Sequence, residues 1–385
     1  MKTNTTFKTL ALALGLALAG FAQAATPLPK DLPAYGPDKP LPTPQIAQRT
    51  LPNGLTVWVV PRDGLPKVNV ALSVLGGTAA DDTVTPARSE MMARVLDEGT
   101  ASRSSRDIAE ALQAIGGDYS AGAGDDAVSI RASALSSHAS QLLALVADTA
   151  LHPSFPTNEV TLAKANALQS LKVQEADPDW QAQRAFGHPA FGDHPYSRDS
   201  LNEASVAAAS PDSLKTLHDA RFRPDRALLV IVGRISADEA FKLAKQQFGD
   251  WKASGAALAD TTPAPRTATP QRLIVPRAGA VQSNIRYGRP AVAANDPDYI
   301  PLTVANTILG GGFTSRITQD IREDKGYSYS PWSRFSANRV GGSTLASVDV
   351  RNEVTGATLA ELAKLYDGMA IQSASAEELT GAKRL

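Results

Sequence analysis

Glu90 and Arg94 stand four residues apart in the run Ala87-Arg-Ser-Glu-Met-Met-Ala-Arg-Val-Leu-Asp-Glu-Gly-Thr100. Met91, Met92, Val95 and Leu96 recur there at helical spacing and Gly99 is a stop signal, so the run is expected to be helical over residues 86–97. Two imidazoles at i and i+4 could share a metal ion on one helical face. A carboxylate and a guanidinium at that spacing form an ion pair instead. Arg has no lone pair to give and does not deprotonate, so it is no ligand and would repel a cation. A catalytic zinc needs about three ligands from His, Glu, Asp or Cys, with one position open for water. The sequence has no cysteine, which excludes a thiol nucleophile, a Cys-bound metal and disulfides. Its five histidines, His138, His152, His188, His194 and His218, form no i,i+4 pair and no H-x-H, and read as surface or hydrogen-bonded side chains. There is no G-x-S-x-G for a serine hydrolase. Gly310-Gly-Gly312 follows a helix-like run rather than a strand, which argues against a phosphate-binding loop.

The elements that would position these residues can be read in order. After the turn Leu51-Pro-Asn-Gly54, Leu55–Val60 and Val68–Leu75 pattern as paired strands. A helix follows over residues 105–115, capped by Ser104 or Ser105, with Ile108, Leu112 and Ile115 on one face. Tyr119–Gly122 and Ala127–Leu135 read as strands. Helices are expected at 137–150, 157–176, 178–187 and 211–221, then the buried strand Ala227–Val232 and the amphipathic helix Ala237–Phe248. Residues 252–271, with Pro263, Pro265 and Pro270 among Ala and Thr, read as a linker.

Beyond the linker the pattern repeats at an offset of roughly 210–215 residues. Ile274-Val-Pro-Arg277 echoes Val59-Val-Pro-Arg62, and the helix Tyr299–Leu309 with its glycines echoes the one ending at Gly99. Arg322–Ser330 echoes Ala114–Ala121, Thr344–Val350 is the matching strand, and Ala357–Met369 the matching helix. The first copy runs on for about 80 residues past its counterpart of Leu385 while the second stops, so the second copy is expected to be truncated. A sheet short of a strand and its covering helices would leave an open edge and apolar surface.

The 385 residues are 43% hydrophobic and 20% charged, a globular balance with room for two or more domains. A net charge of −1 and the lack of a basic run give no reason to expect a nucleic-acid partner. Residues 1–24 have the layout of a signal peptide: Lys2 and Lys8, an apolar core from Leu10 to Gly20, and Ala22-Gln-Ala24 as the cleavage site. That core is too short for a membrane anchor, so an exported, periplasmic protein is expected. Residues 25–45 are a Pro-rich lead-in.

The sequence resembles the M16 (pitrilysin/insulinase) metallopeptidases over nearly all of the chain beyond residue 45. The resemblance is carried by Leu51-Pro-Asn-Gly-Leu-Thr-Val57, Asp97-Glu-Gly-Thr100, His194-Pro-Tyr196, Phe222-Arg-Pro-Asp-Arg-Ala-Leu-Leu-Val-Ile-Val-Gly233 and Phe248-Gly-Asp-Trp251. Gly310-Gly-Gly-Phe-Thr-Ser-Arg316 and Arg322-Glu-Asp-Lys-Gly-Tyr-Ser-Tyr329 extend it into the second copy. It implies an α+β fold of two repeated domains, each a mainly antiparallel sheet with helices packed on it. The expected boundaries are 46–251, a linker at 252–271, and an incomplete repeat at 272–385.

Laid on the family's H-x-x-E-H motif through Gly99-Thr100, Glu90 and Arg94 take the histidine positions and Ala93 that of the catalytic glutamate. The third ligand, a glutamate roughly 75 residues further on, falls on Gln169-Ser170-Leu171. The resemblance therefore implies a zinc-less chain. It also implies a role for Arg322 and Tyr329. In active members an Arg and a Tyr seven residues apart face the zinc from the second domain and bind the peptide. Both side chains are donors suited to negative charge developing on a scissile carbonyl oxygen. In the two-gene bacterial branch one subunit carries zinc and its partner carries the Arg/Tyr pair. The expectation is a heterodimer in which this chain binds no cofactor, the partner holds zinc, and the two close around an unfolded peptide. The alternative is a scaffold, similar to the core subunits of respiratory complexes that share the fold, with no role in turnover.

Overall fold

The computed structural model describes residues 43–385 except Asp199. The proposed signal peptide, 1–24, and most of the Pro-rich lead-in lie outside the described residues. The protein is α+β. Its first sheet has six strands in the order β1-β2-β6-β3-β5-β4: β1 Ala47–Thr50, β2 Thr56–Pro61, β3 Lys67–Leu75, β4 Asp118–Ala123, β5 Ala127–Leu135 and β6 Ala227–Gly233. All neighbours are antiparallel except β2 and β6. Strict alternation decides which face is covered. Val68, Val70, Leu72 and Val74 are buried on β3, while the residues between them face out.

Among the described residues eight helices belong to this half: α1 Arg88–Ala93, α2 Ser105–Ala114, α3 Ala139–Leu151, α4 Thr157–Ala176, α5 Pro178–Phe191, α6 Glu203–Ala208, α7 Pro211–Arg221 and α8 Ala237–Phe248. Side chains of α1, α3 and α8 meet the inner face of the sheet in one continuous apolar core that runs from Leu51 to Trp251. The first and last segments of that core are clasped together. Asn53 Nδ2, in the turn before β2, donates to the carbonyls of Phe248 (2.7 Å) and Trp251 (3.1 Å).

The second half has a three-stranded antiparallel sheet, β7-β9-β8, made of β7 Gln282–Ala291, β8 Trp332–Ala337 and β9 Gly342–Arg351. It carries α9 Tyr299–Gly310, α10 Thr355–Ile371 and α11 Ala376–Arg384, with a separate core around Leu309, Ile317, Ile321, Val348 and Leu362. The duplication is visible element by element. Lys67 and Gln282 open equivalent strands, as do Asp118 and Trp332, and the short turns at Ser136–His138 and Asn352–Val354 precede equivalent helices.

Two expectations are corrected, and one counterpart element forms no strand. The helix expected over 86–97 is only α1, six residues long. After Arg94 the chain is drawn off by bridges from Gly99 to Ser104 and from Thr100 to Pro153, and Gly99 takes φ +151°. Residues 271–276, the counterpart of β2, form no strand. β2 is held by β6, and among the described residues no strand stands on that side of β7, so Leu273, Ile274 and Val275 are exposed. Aligning β8 with β4 places Arg322 opposite Ile108, inside α2, rather than opposite Ala114. The segment is a π-helical turn, Thr318–Asp324, followed by coil.

The linker is not a free tether. His194 Nε2 bonds Thr262 O at 2.9 Å, and Asp260 pairs with Arg226 (2.7 Å) and Arg339 (3.0 Å). Ala264 packs with Ala79 and Tyr196. Tyr196 Oη donates to Asp126 at 2.6 Å and accepts from Val340 N at 3.2 Å, fastening the β4–β5 turn to the β8–β9 turn. Among the described residues no helix is long and apolar enough to cross a membrane.

Candidate functional site

The start of α1 is fixed by a buried ion pair. Asp81 and Arg221 are 1% and 3% exposed and meet at 2.6 Å. Arg221 also donates to the carbonyls of Gly76 (2.8 Å) and Ala80 (3.1 Å) and to Ser89 Oγ. The other Asp81 oxygen accepts from Ser89 N (3.0 Å) and Ser89 Oγ (2.8 Å). Burial holds the Arg221 guanidinium below its ordinary range, against the opposing pull of Asp81.

One turn on, Arg94 Nη2 bonds Glu90 Oε1 as an i,i+4 ion pair. Ala93, between them, is 1% exposed, its methyl sealed into the apolar core. Ser170 lies on the exposed side of α4. These four side chains offer one carboxylate already neutralised by a cation, a methyl group and an exposed hydroxyl. That donor set does not fit zinc. Among the described residues no three His, Asp or Glu side chains gather as a ligand group.

Three of the five histidines have structural partners. His194 accepts from Tyr196 N at Nδ1, so its Nε2 carries the proton given to Thr262 O. His188 Nδ1 contacts Gly192 O at 3.0 Å. His218 is buried, stacked on Phe222 with ring centres 4.3 Å apart and bonded through Nε2 to Ala150 O at 2.9 Å; burial holds its pKa below the ordinary value.

Arg322 and Tyr329 are brought together. The π-helical turn and the reversal at Gly326 (φ +60°) set the Arg322 Cζ 4.8 Å from the Tyr329 ring centre. Arg322 Nε also pairs with Glu323 at 3.3 Å. Tyr329 is 81% exposed, so its hydroxyl is open to a ligand. Among the described residues no hydrogen bond or ion pair links this pair to Glu90 and Arg94. A groove of about 1620 Å³ between α5, the 270–281 segment, β7 and α10 contains none of these residues.

Two family models match the chain: "Insulinase (Peptidase family M16)" over residues 58–204 and "Peptidase M16 inactive domain" over residues 208–385. The chain belongs to the M16 family. Among its M16 relatives is the uncharacterized zinc protease ML0855 of Mycobacterium leprae, 27% identical over 294 residues; the match covers 75% of this chain and 65% of that protein, just under two thirds of its length. The non-peptidase homolog YmxG of Helicobacter pylori is 21% identical over 322 residues, covering 83% of this chain and 74% of that protein. A crystal structure of an M16 inactive domain from Pseudomonas fluorescens superposes with a TM-score of 0.81 at 23% identity, covering 88% of this chain and 82% of that one.

In this chain two of the sequence motifs fall on joints of the fold. His194-Pro-Tyr196 and Leu51-Pro-Asn-Gly54 work through Tyr196–Asp126 and Asn53–Phe248. Sequence reasoning missed the Asp81–Arg221 pair. The two residues lie 140 positions apart, and only the fold makes them neighbours.

Proposed function

We propose that this chain is a zinc-less M16 subunit, exported to the periplasm, that binds extended peptide through Arg322 and Tyr329 and completes the chamber of a zinc-bearing M16 partner. The observation that carries this reading is the pairing of an intact, open Arg322–Tyr329 site with a motif helix whose side chains cannot hold a metal. Arg322 and Tyr329 would donate to the peptide carbonyl as it gains negative charge. Zinc and the activated water would come from the partner. One relative is called a zinc protease and another a non-peptidase homolog. The donor set of this chain favours the second description.

The test is peptidase activity of the full-length protein alone and mixed with a zinc-bearing M16 homologue from the same source. Activity is expected in the mixture only. Arg322→Ala with Tyr329→Phe should lower turnover by roughly 100-fold while the two proteins still co-elute. Unchanged turnover in that variant would favour the scaffold role. Chelator-sensitive activity of the chain alone would overturn the assignment of Glu90, Ala93 and Arg94.

A further inference from the structure

Phe313 stands exposed on a loop pinned at both ends. The loop leaves α9 flush against β8: a Cβ on Gly310 would meet Ser333 Oγ at 2.4 Å and Ser333 N at 2.6 Å. Asn306 and Ser333 clasp this end, with Asn306 Nδ2 donating to Ser333 O (3.0 Å) and Ser333 Oγ to Asn306 Oδ1 (2.9 Å). On the other side Gly312 O accepts from Thr318 Oγ1 and from Ser315 N, both at 3.1 Å. Arg316 grips Glu378 through Nε (2.7 Å) and Nη2 (3.1 Å), which holds the Glu378 carboxyl down at about 2. A loop pinned at both ends nonetheless presents a phenyl ring that is 81% exposed. Burying such a ring is among the more favourable single steps available to a folding chain.

The ring has a neighbour that gives it a use. Arg322 Cζ lies 5.8 Å from the Phe313 ring centre and 4.8 Å from that of Tyr329. The guanidinium lies within cation–π reach of two aromatic rings, both open to solvent. π-Helical turns such as the one carrying Arg322 recur at functional sites.

We propose that Phe313 is a specificity-determining residue: it receives a large apolar side chain, aromatic or branched aliphatic, of the extended peptide whose carbonyl Arg322 and Tyr329 hold. This deepens the function proposed above and rests on it. The phenyl face supplies dispersion and edge-to-face contact to the incoming side chain. The adjacent guanidinium repels a cationic one, so Lys or Arg is disfavoured at the same position.

The test uses two fluorescein-labelled, unstructured peptides of about ten residues, identical except for a central Phe or Ser, titrated by anisotropy against the full-length protein. The wild type is expected to bind the Phe peptide roughly tenfold more tightly. Phe313→Ala should bring the two affinities to within about twofold while leaving that of the Ser peptide unchanged, and Phe313→Leu should keep part of the preference. The Arg322→Ala, Tyr329→Phe variant should weaken both peptides alike. If it does so while Phe313→Ala keeps the full preference, or loses both peptides equally, the role of Phe313 is overturned and the carbonyl-binding role of Arg322 and Tyr329 stands. If the wild type binds neither peptide, or the Arg/Tyr variant binds both normally, that role falls and the Phe313 proposal falls with it.

Discussion

Replacing Arg221 by Met isolates the ion pair that sets the first turn of the motif helix. Met keeps much of the aliphatic stem and removes the guanidinium, so the change is electrostatic more than volumetric. The lost interactions are the 2.6 Å pair with Asp81 and the bonds to Ser89 Oγ and to the carbonyls of Gly76 and Ala80. Asp81 retains Ser89 N and Oγ on one oxygen but faces a buried space with the other. An uncompensated carboxylate in that setting costs about 3–5 kcal/mol. With the first half melting as one cooperative unit, the midpoint should fall by roughly 6–20 °C. Arg221→Lys should lose an intermediate amount, because a point charge cannot hold Asp81 and reach the carbonyls of Gly76 and Ala80 together. In Arg221→Met combined with Asp81→Asn the loss should be smaller than the sum of the single losses. Urea unfolding followed by tryptophan fluorescence reads the wild type, the three single variants and the double variant. A shift below about 0.5 kcal/mol for Arg221→Met, or strict additivity in the double variant, would refute the assignment.

Rebuilding the zinc motif with Glu90→His, Ala93→Glu and Arg94→His should give neither a metal site nor a stable helix. The position of Ala93 is closed to water, so a carboxylate there costs about 3 kcal/mol or more, and Ser170 supplies no third ligand; a triple variant as stable as the parent with chelator-sensitive peptidase activity would overturn that argument. Stability should also fall in mild acid through His218. Its folded pKa is depressed by burial. Its contribution is therefore complete above the unfolded value of about 6.5 and is lost as pH falls from there toward the lowered folded value. The urea midpoint should drop by more between about pH 7.5 and pH 5.5 in the wild type than in His218→Gln.

Much of the architecture is written locally. The alternation of Val68, Val70, Leu72 and Val74 against polar neighbours fixes both the strand and its covered face, because side chains on a strand alternate with period 2. The spacing of Ala240, Leu243, Ala244 and Phe248 likewise fixes α8 over residues 237–248. The four-residue separation of Glu90 and Arg94 was enough to specify their ion pair, since the helix geometry itself supplies the contact. The repeat, too, was legible, because equivalent strands carry equivalent patterns.

What the tertiary structure decided is everything that depends on distant partners. Met91 to Leu96 are periodic enough for a longer helix, yet the helix stops at Ala93 because Gly99, Thr100 and Ala101 are bonded to residues 103–104 and 152–154. Ile274 and Val275 have strand composition but no strand, since a strand exists only through a neighbour to which its backbone can bond. The approach of Phe313, Arg322 and Tyr329 required a π-helical turn, a left-handed glycine and a loop held by Ser333, Thr318 and Glu378. None of those contacts is local, so residue types could name the chemistry of the site, but only the folded chain could bring its groups together.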